Sequence, residues 1–541
     1  MTDGQNGLPE MKWKTVKVAA LAAVALLILD APLSHGQSDK SKSASFQVME
    51  TTIDAIHDAY KSGQLTAHQL VQQYLDRINA YDKQGPKINA IITINPKALE
   101  EADKLDAEYK KSGFIGSLHG IPVLVKDEID TAGMPTTLGS VVFRDYRPIV
   151  DAFVVDRLRK AGAIILGKTT LSEFAAGDTY GSLFGVTRNP YDLERTVGGS
   201  SGGSGASVAA NFSTVALGEE TFASIRRPGT WNAIVSMRPT AGLVSRTGMY
   251  DGYPSVASTM GPMARTVRDL AALLDVMVAY DPVDPLTALG VGHVPESYSN
   301  FLDKSGLKGA RIGILRESIG VASEPDSEDF KKVDTVFQKN IAELKTAGAI
   351  VIDPIVIPNL KELLVKRADN PAISEEALKV WLARNPASPF KTREDIRNSP
   401  DVGKIFPPAK AAQWKQAAGE TDLAKYGEYL VARDQLMINM MKVMADNKLD
   451  AIVHKSVEHQ PTLIKDGINP PYLTNKGVPV LNTFLVYVPS MTVPSGFTTD
   501  NLPVGITFLG RPYSEPTMLK LAYSYEQATH HRISPKTTPA L

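Results

Sequence analysis

The sequence has 541 residues, with 58 Lys+Arg against 59 Asp+Glu and a formal net charge of −1. Its hydrophobic share of 43% and charged share of 22% are typical of a globular protein and exclude a disordered chain. The balanced charge provides no basic surface for nucleic acid and no general attraction to anionic membranes. The chain has no cysteine, which excludes disulfides, a cysteine nucleophile, thiolate zinc sites and iron–sulfur clusters.

The amino-terminal segment has the pattern of an export signal. A basic stretch precedes an uninterrupted apolar run over residues 18–29, which is shorter than the roughly 20 residues needed to span a bilayer. Ser34 and Gly36 supply the small residues of a cleavage site. We therefore predict a signal peptide over 1–36 and a flexible lead-in over 37–45. The mature protein would be periplasmic or secreted and not inserted in a membrane; a buried amino-terminal helix is the alternative.

Short apolar segments then alternate with amphipathic ones. Two helices are expected after residue 50, and the second has Thr66 as its N-cap with Gln69 three residues later, the pattern of a capping box. Further helices are predicted over 97–111, 152–160, 204–210, 267–279, 329–347, 423–447 and 515–528. Strands are predicted over 121–125, 163–166, 214–217, 311–315, 350–352, 451–453, 485–488 and 505–509. This alternation predicts an α/β fold, with one large domain over 46–541.

The most unusual segment is the run of glycines and serines over 198–205. A flexible linker is one interpretation. A phosphate-binding loop is excluded because no lysine follows Gly203. Gly198-x-Ser200-x-Gly202 matches a nucleophile elbow, but the preceding residues are polar and turn-like rather than a buried strand. A Gly-rich loop before a helix still offers backbone N–H groups, and its serines could carry protons if a base lies nearby.

Two kinds of base are available. Histidine is the usual one, and four candidates have no evident acid partner: His119, His293, His454 and His459. The other is Lys126, which directly follows the apolar segment 121–125. Burial there would lower the pKa of its amine, whereas a side chain that reaches solvent would keep an ordinary pKa.

Several motifs, taken in order, resemble the amidase signature family. They lie at 118–127, 167–174, 189–190, 198–204, 224–226, 489–496, 502–505 and 510–512. The likeness covers about residues 50–280 and 480–530. It implies a mixed central sheet flanked by helices, with a core over about 115–280 and 480–530. A variable insertion on the substrate side would occupy about 355–480.

The resemblance also implies a Ser–cisSer–Lys triad in which Lys126 is the base, Ser200 the bridging serine and Ser224 the nucleophile. Ser224 would attack an amide carbonyl while Ser200 passes its proton to neutral Lys126. The backbone N–H groups of residues 221–224, namely Thr221, Phe222, Ala223 and Ser224, would form the oxyanion hole. No metal ion and no cofactor is required.

The sequence departs from the family where Phe222 and Ala223 replace the usual small or acidic residues before the nucleophile. Phe222 would be strained if its φ were positive. Its ring either lines the substrate pocket or turns into the core. Ser201 and His454 are further candidates for substrate binding.

These features predict an exported amidase acting on a small organic amide, aryl or apolar. A carbamate or ester hydrolase with the same triad is a close alternative. The family also contains tRNA amidotransferase subunits, which the export signal disfavours, and an inactive binding protein is a third possibility. The expected partner is a small amide or carbamate, with no nucleic acid, and the sequence is compatible with a homodimer.

Overall fold

A mixed sheet of 11 strands is the centre of the protein in a computed structural model that describes residues 46–388, 390–407, 411–412 and 421–541. In chain order the strands are β1 (Ile91–Ile94), β2 (Pro122–Lys126), β3 (Ile164–Thr169), β4 (Tyr180–Gly181), β5 (Gly185–Val186), β6 (Arg188–Asn189), β7 (Asp192–Thr196), β8 (Val215–Glu220), β9 (Val235–Arg238), β10 (Thr259–Ala264), β11 (Arg311–Leu315), β12 (Ile350–Ile355), β13 (Ala451–Lys455), β14 (Ser490–Phe497) and β15 (Pro503–Leu509). The order across the sheet is β1-β3-β2-β8-β10-β9-β14-β15-β13-β11-β12. Strands β4 to β7 form two separate hairpins.

The part of the sheet that carries the candidate site is parallel. β2 pairs in parallel with β3 on one side and with β8 on the other. All residues of these three strands are buried, which fits a strand covered by helices on both faces. Because the carboxyl ends of parallel strands meet at one edge, side chains that follow β2 and β8 lie close together.

Helices flank the sheet on both faces. In chain order they are α1 (Ile53–Lys61), α2 (Ala67–Ile78), α3 (Ala98–Ser112), α4 (Phe153–Lys160), α5 (Gly202–Ala209), α6 (Arg226–Trp231), α7 (Val267–Met277), α8 (Glu328–Thr346), α9 (Leu360–Leu364), α10 (Pro371–Ala383), α11 (Arg393–Arg397), α12 (Leu423–Asp446), α13 (Ile464–Ile468), α14 (Leu481–Phe484) and α15 (Glu515–Thr529). The predicted capping box is present on α2, where Thr66 accepts from the Gln69 backbone and Gln69 from the Thr66 backbone. Among the described residues, no helix is both long and apolar enough to cross a membrane.

The predicted fold class is confirmed, and the main errors concern strands. The strand expected over 485–488 is wrong, because these residues form the turn between α14 and β14. Strands β1, β4 to β7, β9, β10 and β14 were not predicted, and the segment before the Gly-rich loop that was expected to be turn-like contains β7. Part of the predicted insertion over 355–480 is also central, since β13 pairs with β11 and β15. The predicted signal peptide and lead-in lie outside the described residues.

Candidate active site

Lys126 ends in a buried polar cluster at the carboxyl end of β2. The residue has 0% exposed surface, so the alternative in which its amine reaches solvent is wrong. Its Nζ donates a hydrogen bond to Ser200 Oγ over 2.6 Å. The geometry therefore brings the proposed base and the proposed bridging serine into direct contact.

The Gly-rich segment is a rigid part of the core and not a linker. Residues 198–205 are all buried, and α5 begins within them. A Cβ atom at Gly202 would lie 2.0 Å from Thr179 Oγ1, and one at Gly203 would lie 2.4 Å from Thr170 O. The glycines are thus required by close packing. The peptide bond between Gly199 and Ser200 is cis, as the resemblance implies.

Arg227 in α6 holds this loop in place. Its Nε and Nη2 donate to the Gly199 carbonyl over 3.0 and 2.7 Å, and its Nη1 lies 3.0 Å from an Asp178 carboxylate oxygen. The residues before the loop belong to β7, which pairs with β6 outside the central sheet and is partly exposed. The loop is therefore not a nucleophile elbow on a central strand.

Ser224 lies beside the Gly-rich loop at the start of α6. The Ser201 N–H donates to the Ser224 carbonyl over 3.1 Å, which ties the two serine-bearing segments together. On the other side, the Glu220 carboxylate accepts from the N–H groups of Ile225 and Arg226, each over 3.0 Å. Ser224 itself is half-buried, so its hydroxyl can be reached from outside the core.

The predicted oxyanion-hole donors lie beside Ser224 in the chain. Among the described residues, no protein acceptor takes a hydrogen bond from the backbone N–H groups of 221–224. Phe222 does not have a positive φ, so the replacement of glycine introduces no backbone strain there. These N–H groups are available to a negatively charged oxygen beside Ser224.

Two glutamates complete the surroundings of Lys126, and sequence reasoning missed both. Glu219 Oε2 and Glu128 Oε1 each lie 2.9 Å from Lys126 Nζ. Burial disfavours the ammonium, but the two carboxylates outweigh burial and raise the pKa of Lys126 above its ordinary value. The prediction of a lowered lysine pKa is therefore wrong, and removal of the amine would leave buried acid groups without a cation.

A signal for these glutamates existed in the sequence. Glu128 follows Lys126 at a spacing of two, which would place both on one face of an extended chain; in the structure β2 ends at Lys126 and a turn over 127–128 brings Glu128 back to it. Glu219 lies at the end of the apolar strand β8, next to β2. The adjacent carboxylate, Asp127, points away as expected: its Oδ1 lies 3.1 Å from Lys168 Nζ.

The three substrate-binding candidates have different surroundings. Phe222 is half-buried, packs against a small apolar cluster and has the exposed Arg367 guanidinium 5.7 Å from its ring centre. The Ser201 hydroxyl donates to the Glu219 carbonyl over 3.0 Å and accepts from the Glu219 N–H over 3.2 Å, so it fixes β8. His454 is buried, and burial with the nearby Arg226 charge lowers its pKa to about 3.

The histidine candidates have partners of their own. His459 Nδ1 lies 2.7 Å from Asp329 Oδ2, an acid partner 130 residues away that the sequence does not reveal. His454 Nδ1 bonds the Lys455 carbonyl over 2.7 Å. In the described part of the chain, no group of three or more histidines and carboxylates is arranged to hold a metal ion.

Comparison with known proteins identifies the family of the chain. The amidase family model matches residues 69–519. A probable amidase of Arabidopsis thaliana is 34% identical, with 94% of this chain and 97% of that protein covered. A glutamyl-tRNA(Gln) amidotransferase subunit of Methanosarcina barkeri is 32% identical, with 86% and 94% covered. The crystal structure of peptide amidase from Stenotrophomonas maltophilia has a TM-score of 0.77 at 32% identity and covers 91% of this chain and 99% of its own. The chain belongs to the amidase family.

Proposed function

We propose that this protein hydrolyses a small organic amide through an acyl-enzyme on Ser224. The observation that carries the proposal is the buried contact between Lys126 Nζ and Ser200 Oγ at 2.6 Å. A lysine and a serine hydroxyl in contact inside a buried core form a proton path. Ser201, the next residue along the loop, is bonded through its N–H to the Ser224 carbonyl, which keeps the nucleophile beside this path.

In the proposed reaction Ser224 Oγ attacks the amide carbon, and its proton passes to Ser200 as the Ser200 proton passes to neutral Lys126. The free N–H groups of 221–224 stabilise the oxygen of the tetrahedral intermediate. When the carbon–nitrogen bond breaks, the protons return along the same path to the leaving amine. Water then hydrolyses the ester on Ser224 by the same steps, which regenerates the free serine.

The surroundings of Phe222 support a substrate with a flat or apolar group. Its ring lies two residues before Ser224, is half-buried, and carries a guanidinium on one side. Aromatic and apolar groups bind such a surface through burial of area and stacking. Carbamates and esters pass through the same tetrahedral intermediate, so a carbamate hydrolase is the nearest alternative within this proposal.

A second candidate is one component of a tRNA amidotransferase, because relatives with that name are about as similar as the plant amidase. We propose instead an exported enzyme, on the basis of the predicted signal peptide. Export is tested by determining the amino terminus of the mature protein after fractionation of the host cells. A terminus at Gln37 in a non-cytoplasmic fraction supports export, and an intact protein in the cytoplasm opposes it.

The proposed activity is tested by turnover of the purified protein, without partner proteins, on a panel of aryl amides, fatty amides, carbamates and esters. Release of the amine from an amide, abolished in Ser224→Ala, is the expected result. Turnover of carbamates alone would favour the carbamate alternative. No turnover on the panel, together with amidation of glutamyl-tRNA once the other amidotransferase components are added, would favour the amidotransferase role.

A further inference from the structure

The surroundings of Lys126 contain more acid than one ammonium group balances. Glu128 and Glu219 both lie within 2.9 Å of its Nζ. Their side chains are 1% and 4% exposed, and that of Lys126 is 0% exposed. Since unpaired charge is costly in such a place, one of the two glutamates must hold a proton when Lys126 is an ammonium.

The two carboxyl groups are not equivalent. Glu219 Oε1 accepts from Thr221 Oγ1 over 2.9 Å, and its Oε2 accepts from Lys126 over 2.9 Å, so each oxygen has a donor. Glu128 Oε1 also lies 2.9 Å from Lys126 Nζ, but among the described residues Glu128 has no second donor comparable to the Thr221 hydroxyl. Burial, reinforced by Glu219, raises the pKa of Glu128 well above its ordinary value, although Lys126 acts in the opposite direction. Glu128 is therefore the protonated member and Glu219 the anionic one.

This arrangement leaves Lys126 without a free lone pair in the resting state. The anionic Glu219, whose Oε2 lies 2.9 Å from Nζ, holds Lys126 as an ammonium, which has three donors and no acceptor. It already donates to Ser200 Oγ and Glu219 Oε2. To take a proton from Ser200, the amine must first lose one, and Glu219 Oε2 is the anionic oxygen in hydrogen-bond contact with it.

We propose that Glu219 takes this proton, so that Lys126 becomes the neutral base while Glu128 stays neutral beside it. The Lys126 N–H bond breaks and a Glu219 O–H bond forms, so an ammonium and a carboxylate become an amine and a carboxylic acid. The net charge of the buried cluster does not change, and no proton has to reach solvent. Ser200 then donates to the freed lone pair as in the proposed function, on which this inference rests. Glu219 acts through Lys126 and is a positioning residue.

Other charged groups also face this cluster. Asp251 lies near Glu219, and burial together with the Glu219 charge raises the pKa of Asp251 to about 7, while Arg393 opposes the rise. Tyr250 feels the charge of Glu128. On the far side, Arg238 interacts with Glu219 but is shared with Glu220. Asp251 is therefore the group whose own titration must be separated from that of the cluster.

The test is the pH dependence of Ser224 phosphonylation by a fluorophosphonate, measured from pH 5 to 10 by intact mass. In the wild type, the rate should fall toward acidic pH, because labelling requires Lys126 to pass its proton to the Glu219 acceptor. Glu219→Gln removes that acceptor, so the buried Glu128 or Lys126 itself would then have to lose a proton before labelling can occur. For each protein, the rate at pH 6 is divided by the plateau rate of that same protein. We expect this fraction to be about tenfold or more lower in Glu219→Gln than in the wild type, the effect of moving the acidic part of the pH profile by about one pH unit.

Glu128→Gln is the matched control, because an amide imitates a glutamate that is already neutral. Its relative rate at pH 6 should stay within about twofold of the wild type. Asp251→Asn removes a negative charge near Glu219, so the acidic part of the pH–rate profile of this variant should stay in place or move to lower pH. A Glu219→Gln profile that is lowered by the same factor at every pH, or a Glu128→Gln profile displaced as far as that of Glu219→Gln, would overturn the proposal.

Two further measurements keep the proposal testable where Glu219→Gln does not fold. Glu219→Asp retains a carboxylate and should restore the wild-type shape of the profile, with a lower plateau. Infrared difference spectra at pH 7 should show a carboxylic-acid band that Glu128→Gln removes, and its absence would contradict a protonated Glu128. Failure of the proposed function is distinct: it would appear as a wild-type protein whose Ser224 is unlabelled at every pH.

Discussion

Two buried lysines stand on neighbouring strands, and their surroundings differ. Lys126 ends β2, and Lys168 lies beside it on β3, where the two strands pair Val125 with Lys168. Lys168 Nζ lies 3.1 Å from Asp127 Oδ1 and donates to Thr136 Oγ1 over 2.9 Å. Lys126 instead contacts two carboxyl groups and a serine hydroxyl.

The difference shows which buried lysine can do chemistry. Lys168 contacts one carboxylate, that of Asp127. The second acid that feels its charge, Asp130, also has the Arg384 guanidinium 3.7 Å away, so the acids around Lys168 are balanced by cations and have no reason to exchange a proton. An ammonium with two acids and a hydroxyl holds one movable proton and has a path toward a nucleophile. Perturbed protonation in a buried cluster marks a functional site more often than burial alone does. We therefore propose a catalytic role for Lys126 and a structural role for Lys168.

The largest expected effect is the loss of activity in Lys126→Met. Without the amine, the proton of Ser200 has no acceptor, so kcat/KM for the amide identified by the panel should fall by about 10⁴-fold. Lys126→Arg should be equally poor, because a guanidinium stays protonated. Near wild-type turnover of Lys126→Arg at pH 8 would show that another group is the base. Because Lys126→Met also leaves Glu128 and Glu219 without a cation, its folding must be checked by circular dichroism.

Lys168→Met should change stability and not chemistry. The substitution leaves the Asp127 carboxylate buried without its cation, and loss of one partner of a buried pair costs about 3–5 kcal/mol. Urea unfolding measures this cost, and the folded fraction should be phosphonylated on Ser224 at the wild-type rate. A stable Lys168→Met protein that has lost labelling would erase the distinction between the two lysines.

His454 extends the comparison to a buried base that has no acid partner among the residues the structure describes. Its pKa is about 3 when folded and 6.5 in the reference state, so between these values the unfolded chain binds the extra proton. The contribution of His454 to the free energy of unfolding is fully present above about pH 6.5. It falls by about 1.4 kcal/mol per pH unit as the pH decreases toward 3. His454→Leu has no imidazole to protonate, so its stability does not fall in this way. The free energy of unfolding of the variant minus that of the wild type should therefore rise by about 1.4 kcal/mol for each pH unit as the pH is lowered from 6 to 4. A difference that is independent of pH would contradict the buried neutral imidazole.

The smallest effect concerns selectivity at Phe222. Phe222→Gly should reduce kcat/KM for aryl amides relative to small aliphatic amides by about tenfold, the value of one well-filled apolar contact. Arg367→Gln is the matched control, since it removes the guanidinium and keeps the ring, and should change the ratio by about fivefold at most. An unchanged ratio in Phe222→Gly would mean that the ring serves only the core.

The fold was largely predictable because its central strands are continuous apolar runs and its helices have clear periodicity and caps. Thr66 and Gln69 at the start of α2 are an example. Strands such as β10 were missed because Gly261 and Pro262 interrupt the pattern; that strand is specified by its pairing with β8. Long-range pairing of this kind carries no local signal.

The proximity of Lys126 to Ser200 was predicted through resemblance, whereas its electrostatics were not. Burial alone lowers a lysine pKa, and Lys126 follows an apolar strand in the sequence. The sign changed because two carboxyl groups meet the same amine: Glu128, two residues along the chain, and Glu219, from a strand 93 residues away. Which charges meet in a core depends on tertiary contacts.

The central claim is that the Lys126–Ser200 contact serves a nucleophile at Ser224. The most direct test maps the site of fluorophosphonate attachment by peptide mass spectrometry at neutral pH, in the wild type and in Lys126→Met. We expect a single adduct on Ser224 in the wild type and almost none in Lys126→Met. An adduct on Ser200 or Ser201, or equal labelling of Ser224 in both proteins, would contradict the account.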